Sequence, residues 1–171
     1  MTKCVLRNGT TVEIKPYDDS FADSLAGNLF QGVSVETIIQ QRADLLASGP
    51  EEVYSVCVIF NSEVVGVCTG VRKRWFGERH RIEMVQVVVK DDFHGQGIAR
   101  LMMTEIAKHF KKYEVEIVQI SAESTNAIAI AAYERIGFVR YGILKNGLRH
   151  GGTYSDEIMM SVRCSDLIKE Q

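Results

Sequence analysis

The chain has 171 residues, 46% hydrophobic and 25% charged, the proportions of one globular domain rather than two. Lys and Arg total 20 against 22 Asp and Glu, and this net charge of −2 argues against a dedicated nucleic-acid binder, though not against a local basic patch. With only two prolines in so apolar a background, the composition also argues against disorder.

Residues 4–7 and 11–15 flank Asn8-Gly9, a dipeptide that tolerates positive φ, and predict a hairpin closed by Pro16. Residues 19–48 are helical in composition and break near Gln31-Gly32. Ser34 is placed to cap the second helix ahead of Val35, Ile38 and Ile39, and Gly49-Pro50 to stop it. The Val-rich stretches 53–60 and 64–71 predict a second hairpin across Asn61-Ser62. Residues 81–89 make a third strand, whose end Val87-Val88-Val89 suggests cover on both faces. Ile98, Leu101, Met102, Ile106 and Phe110 recur at helical spacing. A strand at 115–121 and a helix at 125–136, capped by Gly137, come next. The chain closes on a strand pair, 138–144 and 157–162, joined by a glycine-rich loop at 146–153. The order ββ-αα-βββ-α-β-α-ββ predicts a single α/β domain over residues 1–171 with a mostly antiparallel sheet.

Cys4, Cys57, Cys68 and Cys164 show no Cys-x-x-Cys spacing, so no zinc or redox motif is read from them. The N-terminal run reaches Asn8-Gly9 too soon for the apolar core of a signal peptide, and no apolar run approaches a membrane span. The expectation is a reduced, soluble, cytoplasmic protein with no metal and no membrane partner.

The segment that carries chemistry runs from Val85 to Arg100: a buried strand, a turn, Gly95 and Gly97, then an amphipathic helix. Glycines there let the backbone curl so that consecutive N–H groups face one hollow. A helix start adds its own unpaired N–H groups and the positive end of its dipole. Together they predict a seat for phosphate or pyrophosphate. The dinucleotide fingerprint fails because Arg100 stands where its third glycine belongs, and no Gly-Lys-Ser/Thr is present for a P-loop. As the blander alternative, the glycines merely shape a tight turn.

What remains resembles the pyrophosphate loop of the GNAT N-acetyltransferase superfamily, Gln/Arg-x-x-Gly-x-Gly/Ala. His94-Gly95-Gln96-Gly97-Ile98-Ala99 fits at every position but the first, where His94 replaces the permanent cation or amide. Downstream, Asn126, Ala129, Tyr133, Gly137 and Phe138 look like the family's Asn-x-x-Ala-x-x-x-Tyr-x-x-x-Gly-Phe helix. Asn126, Ile130 and Tyr133 share one helix face by spacing. The resemblance implies the GNAT fold, a twisted, mostly antiparallel sheet of about seven strands flanked by about four helices, and acetyl-CoA (coenzyme A) as the acyl donor.

It also implies roles. Val87, Val88 and Val89 would contribute backbone groups along the pantetheine arm, and His94, Gly95, Gln96, Gly97, Ile98, Ala99 and Arg100 the diphosphate loop. Asn126 would contact pantetheine, and Tyr133 would protonate the departing thiolate. Glu83, six residues before Val89, stands where some members carry the base that deprotonates the amine. The plainer alternatives are a capping Asn, a packed Tyr, and a solvent-facing Glu83 or one paired with Arg81. Direct attack in a ternary complex needs no cysteine nucleophile.

Acceptor sites in the family lie between the first two helices and the last hairpin, here residues 28–33 and 146–156, the latter a candidate mobile flap. Asp156 or Glu157 could hold an ammonium there, or simply face solvent. The acceptor is a small-molecule amine or a protein N-terminus or lysine, and a non-catalytic acyl-CoA sensor is the competing reading. The basic run 72–81 around Trp75 and Phe76 is open to three readings: an acidic-partner or nucleic-acid surface, a homodimer contact, or a solvated tip.

Overall fold

The computed structural model describes residues 2–169. Strands β1 (Thr2–Val5) and β2 (Thr11–Pro16) open the chain, followed by helices α1 (Ala22–Asn28) and α2 (Val35–Leu46). Next come β3 (Val53–Phe60), β4 (Glu63–Arg72) and β5 (Arg81–Val89), then α3 (Ile98–Lys111). After it run β6 (Ile117–Glu123), α4 (Ala127–Ile136), β7 (Val139–His150), β8 (Thr153–Arg163) and α5 (Cys164–Ile168). The strands form one sheet in the order β1-β2-β3-β4-β5-β6-β8-β7. Among the described residues there are eight strands, against the about seven implied by the resemblance, and a short fifth helix beside the about four expected.

Local chemistry explains most boundaries. Asn61 and Ser62 both adopt left-handed backbone, at φ +48° and +67°, the two-residue turn whose twist matches paired strands. Ser34 Oγ accepts the Thr37 N–H at 3.2 Å and so caps α2. Gly137, at φ +114°, ends α4 with its N–H on the Tyr133 carbonyl at 3.1 Å. The first hairpin differs from expectation. Its strand ends at Val5, and residues 6–10 form a wider turn in which Asn8 Oδ1 accepts the Thr10 N–H at 3.0 Å.

The larger correction concerns the last hairpin. The expected loop at 146–153 is mostly strand, because β7 continues to His150 and only Gly151 and Gly152, both at positive φ, make the turn. The glycine-rich composition reflects a bulge instead. The register shifts between Leu144 and Leu148, Asn146 takes φ +52°, and its N–H donates to Asp156 Oδ1 at 3.0 Å.

Two apolar layers sandwich the sheet. On one face α3, with α4 and α5, packs Ile98, Met102, Met103, Ile106, Phe110, Ile130 and Leu167 against Val56, Val58, Ile82, Met84, Val118 and Met160. On the other, α1 and α2 bring Ala22, Leu25 and Ile38 onto Cys57, Ile59, Val64 and Val67. Helix α3 lies very close to β4: a Cβ on Gly66 would sit 2.8 Å from Ile98 Cγ2, and one on Gly70 2.5 Å from Ile106 Cγ2. That approach sets where the start of α3 stands relative to β5. No helix among the described residues is long and apolar enough to cross a membrane.

Candidate active site

Strand β5 is the axis of the site. It pairs antiparallel with β4 along most of its length but parallel with β6 for only Arg81↔Ile117, Ile82↔Val118 and Glu83↔Gln119, after which the two strands part. The resulting cleft has Glu83 at its last paired rung. A bulge then reverses the strand's facing. The register with β4 jumps from Thr69↔Val85 to Val67↔Val88, and Gln86 takes the left-handed φ of +52°. In consequence Val87 and Val89 pack on the α3 side and Val88 on the α1 side. The Val triplet is therefore covered on both faces, as its composition suggested.

Beyond Val89 the chain makes a short 3-10 turn over Asp91–Phe93 and enters the glycine loop. Phe93 rests edge-on against Phe60 at 5.3 Å, and the Lys90 N–H bonds the Val65 carbonyl at 2.9 Å, so the loop's approach is fixed to β3 and β4. Gly95 at φ +75° and Gly97 at φ +93° occupy backbone that side chains rarely adopt, and a Cβ on either would meet nothing within 4 Å. Gly97 is the N-cap of α3, whose opening helix bond runs from the Leu101 N–H to the Gly97 carbonyl at 3.1 Å. The N–H groups of Ile98, Ala99 and Arg100 precede that bond and are free to face an anion.

The side chains around this seat hold it rather than fill it. His94 turns its ring back, donating from Nε2 to the Val89 carbonyl at 2.8 Å, with Asp91 Oδ1 at 3.7 Å. Arg100 Nη1 donates to the Ile136 carbonyl at 3.3 Å and ties α3 to the end of α4. Gln96 accepts through its carbonyl from the Arg7 N–H at 3.5 Å, and Arg7 Nη1 lies 3.5 Å from the Gly95 carbonyl. Arg7, on the β1–β2 connection, was not anticipated, because only the tertiary fold brings that turn to the loop.

Asn126 caps α4, its Oδ1 accepting the Ala129 N–H at 3.0 Å. This is the capping role weighed as the plainer alternative. Tyr133 is buried among apolar groups, its ring 6.0 Å from that of Phe138. Burial, with the Cys68 thiol nearby, pushes its hydroxyl up to about 12, so the phenol holds its proton at neutral pH.

Glu83 projects from the face opposite Ile82 and Met84, toward the α1–α2 side, and stays partly exposed. Its partner is not Arg81, which pairs with Glu78, but Lys73, whose Nζ contacts Glu83 Oε2. Beside it Gln119 donates from Nε2 to the Tyr141 hydroxyl at 2.8 Å. Of the acceptor candidates, Asp156 is occupied by Lys145 Nζ at 2.7 Å and by the Asn146 N–H, which together hold its carboxyl below the usual range.

The basic run is largely spent internally. Arg72 donates to the carbonyls of Arg79 and Tyr113, both at 2.7 Å, Arg74 bonds Ser48 Oγ at 2.8 Å, and Arg79 makes a two-pronged pair with Glu52. Trp75 and Phe76 are exposed at 76% and 94%.

Comparison with known proteins bears on this geometry. The model of the Acetyltransferase (GNAT) family matches residues 20–138. A comparison with curated protein sequences returned no match. Solved structures of similar fold include a ribosomal-protein-alanine N-acetyltransferase from Brucella melitensis, 21% identical at a TM-score of 0.71, covering 88% of this chain and 99% of that one. An N-acetyltransferase from Staphylococcus aureus Mu50 is 13% identical at a TM-score of 0.75, covering 90% and 98%. A phosphinothricin acetyltransferase from Sinorhizobium meliloti, solved in complex with AcCoA, is 13% identical at 0.73, covering 89% and 88%. The family match spans well over half of the chain and includes the parted strands, the glycine loop and the Tyr133 helix. The chain belongs to the acetyltransferase (GNAT) family, with the fold of the acetyltransferase structures it resembles.

Proposed function

We propose that this chain transfers the acetyl group of acetyl-CoA directly to a primary amine within a ternary complex. The observation that carries the proposal is the meeting, on β5, of a backbone anion seat and an open inter-strand cleft with Glu83 at its vertex. The residues present fit the donor. The open space over Gly95 and Gly97 suits a diphosphate, the N–H groups of Ile98, Ala99 and Arg100 suit its charge, and the unpaired edge of β5 suits the amides of pantetheine. When bound, acetyl-CoA supplies an activated acyl group as a thioester.

The remaining chemistry falls to side chains. An alkylamine, with a reference pKa of ~10.4, arrives protonated, so Glu83 takes a proton from it directly or through one water. A backbone N–H in the Val87–Val89 stretch polarises the thioester carbonyl. Tyr133, kept protonated by burial, returns a proton to the departing sulfur. The acceptor is a small amine or a protein N-terminus or lysine. Similar folds include one enzyme named for a ribosomal-protein alanine and another named for phosphinothricin, which keeps both classes in the proposal.

Thiol release across an amine panel tests it. With an accepted amine, Glu83→Gln and Tyr133→Phe should each lower kcat on the order of 100-fold at neutral pH, the usual size of a lost acid or base, while acetyl-CoA binding by calorimetry is kept. Binding without turnover for every amine would mark a sensor instead.

A further inference from the structure

One primary amine already touches the candidate base, and it belongs to the chain itself. Lys73 leaves the end of β4 with its N–H on the Arg81 carbonyl at 3.0 Å, which fixes its backbone beside β5. Its Nζ contacts Glu83 Oε2, and both side chains are about one-third exposed, open to a substrate from the same side. The cations around it are engaged elsewhere: Arg72 with two carbonyls, Arg79 with Glu52 and Arg81 with Glu78. Any amine that Glu83 deprotonates must come within a hydrogen bond, or one water, of that carboxylate. Lys73 meets the requirement without binding from solution, and an amine held in place reacts as though present at very high concentration.

We propose that Lys73 is a self-acetylation site of this enzyme. The proposal rests on the acetyl-transfer reading above, with Glu83 as base and the thioester lodged where β5 and β6 part. In the step, Lys73 Nζ gives a proton to Glu83 and its lone pair forms the N–C bond to the acetyl carbonyl. The C–S bond breaks with its electron pair on sulfur, and the sulfur takes a proton from Tyr133. Glu83 then loses its proton to water, and the second proton of the attacking nitrogen, shed as the amide forms, passes through solvent to the Tyr133 phenolate. The products are N-acetyl-Lys73 and the free thiol of coenzyme A, with no redox change. The modification removes the cation from the Lys73–Glu83 pair.

The test incubates the intact chain with acetyl-CoA and no added amine, and follows lysine acetylation by peptide mass spectrometry. Lys15 and Lys90 are the internal controls, since both are ion-paired to a Glu and about as exposed as Lys73. The expected result is acetylation of Lys73 at least about tenfold faster than of either control, as pre-positioning requires. Its rate should be independent of protein concentration. In Glu83→Gln the Lys73 rate should fall to that of the controls while acetyl-CoA binding persists. If Lys73 reacts no faster than Lys15 and Lys90 in an enzyme that still acetylates an added amine, the inference is overturned and the acetyl-transfer reading stands. Absence of both acetyl-CoA binding and turnover would overturn the two together.

Discussion

Strands β4 and β7, with 10 and 12 residues, lie on opposite sides of the β5–β6 cleft, yet they are held by different forces. From Val64 to Gly70 every residue of β4 is buried, gripped by α3 on one face and by the α1–α2 layer on the other. No residue of β7 is buried. It is an edge strand paired to β8 alone, and it shows Val139, Tyr141, Ile143 and Leu144 to solvent. Two register shifts, at Arg140/Gly142 and Leu144/Leu148, twist that edge away from flat pairing with another chain. The inner strand thus backs β5 and the start of α3 with packing on both faces, whereas the outer hairpin is held along one edge only.

Four substitutions or titrations sharpen or break this contrast. Gly97→Val puts a β-branched residue at φ +93° at the half-buried N-cap of α3, in the anion seat and next to the core residue Ile98. Acetyl-CoA affinity measured by calorimetry should fall on the order of 100-fold, about 2.7 kcal/mol, and the backbone strain should lower stability by about 1–3 kcal/mol.

Alkaline titration probes the buried half. Burial pushes Cys57 and Cys68 from 9.0, and Tyr133 from 10.0, up to about 12. Above pH 9 the unfolded chain sheds these protons first, so stability is fully present below pH 9 and is lost as pH rises toward 12. Within its window each group contributes a slope approaching about 1.4 kcal/mol per pH unit, readable as a falling denaturant midpoint. A flat profile from pH 9 to 11 would show these groups to be solvated.

Gly70→Ala forces a methyl to 2.5 Å from Ile106 Cγ2 and 3.0 Å from Phe110 Cε2. Overpacking of this kind destabilises by about 1–3 kcal/mol, a melting-point drop of several degrees for a chain this size. Ile143→Thr on the open edge should stay within about 0.5 kcal/mol. An equal loss in the last two variants would erase the difference between the strands.

The glycine loop and the Tyr133 helix were legible in the sequence because their chemistry is local: a left-handed N-cap and a helix face are written in consecutive residues. Strand β5 was delimited from Arg81 to Val89 for the same reason. Glycines misled at 146–153, where they serve a bulge and a tight turn within paired strands rather than a loop. The Lys73 partner of Glu83 depends on the register of the β4–β5 pair, and the contact of Arg7 with the glycine loop and the hydroxyl pair around Arg42 on tertiary packing, none of which a local signal marks. Arg42 illustrates the limit best. It is 2% exposed, donates to Ser55 and Thr69, and lies over the Tyr17 ring, in a helix whose composition reads as surface.

The early divergence of β5 from β6 has a further consequence, for isotope labelling. Past Glu83, the rim of β5 turned toward β6 is not tied to that strand, so its peptide protons should swap with deuterium far sooner than those of Val56 and Val58 in the sheet interior. An extended guest lying in the gap would act as a missing strand, and the slowing of that exchange would trace its path residue by residue.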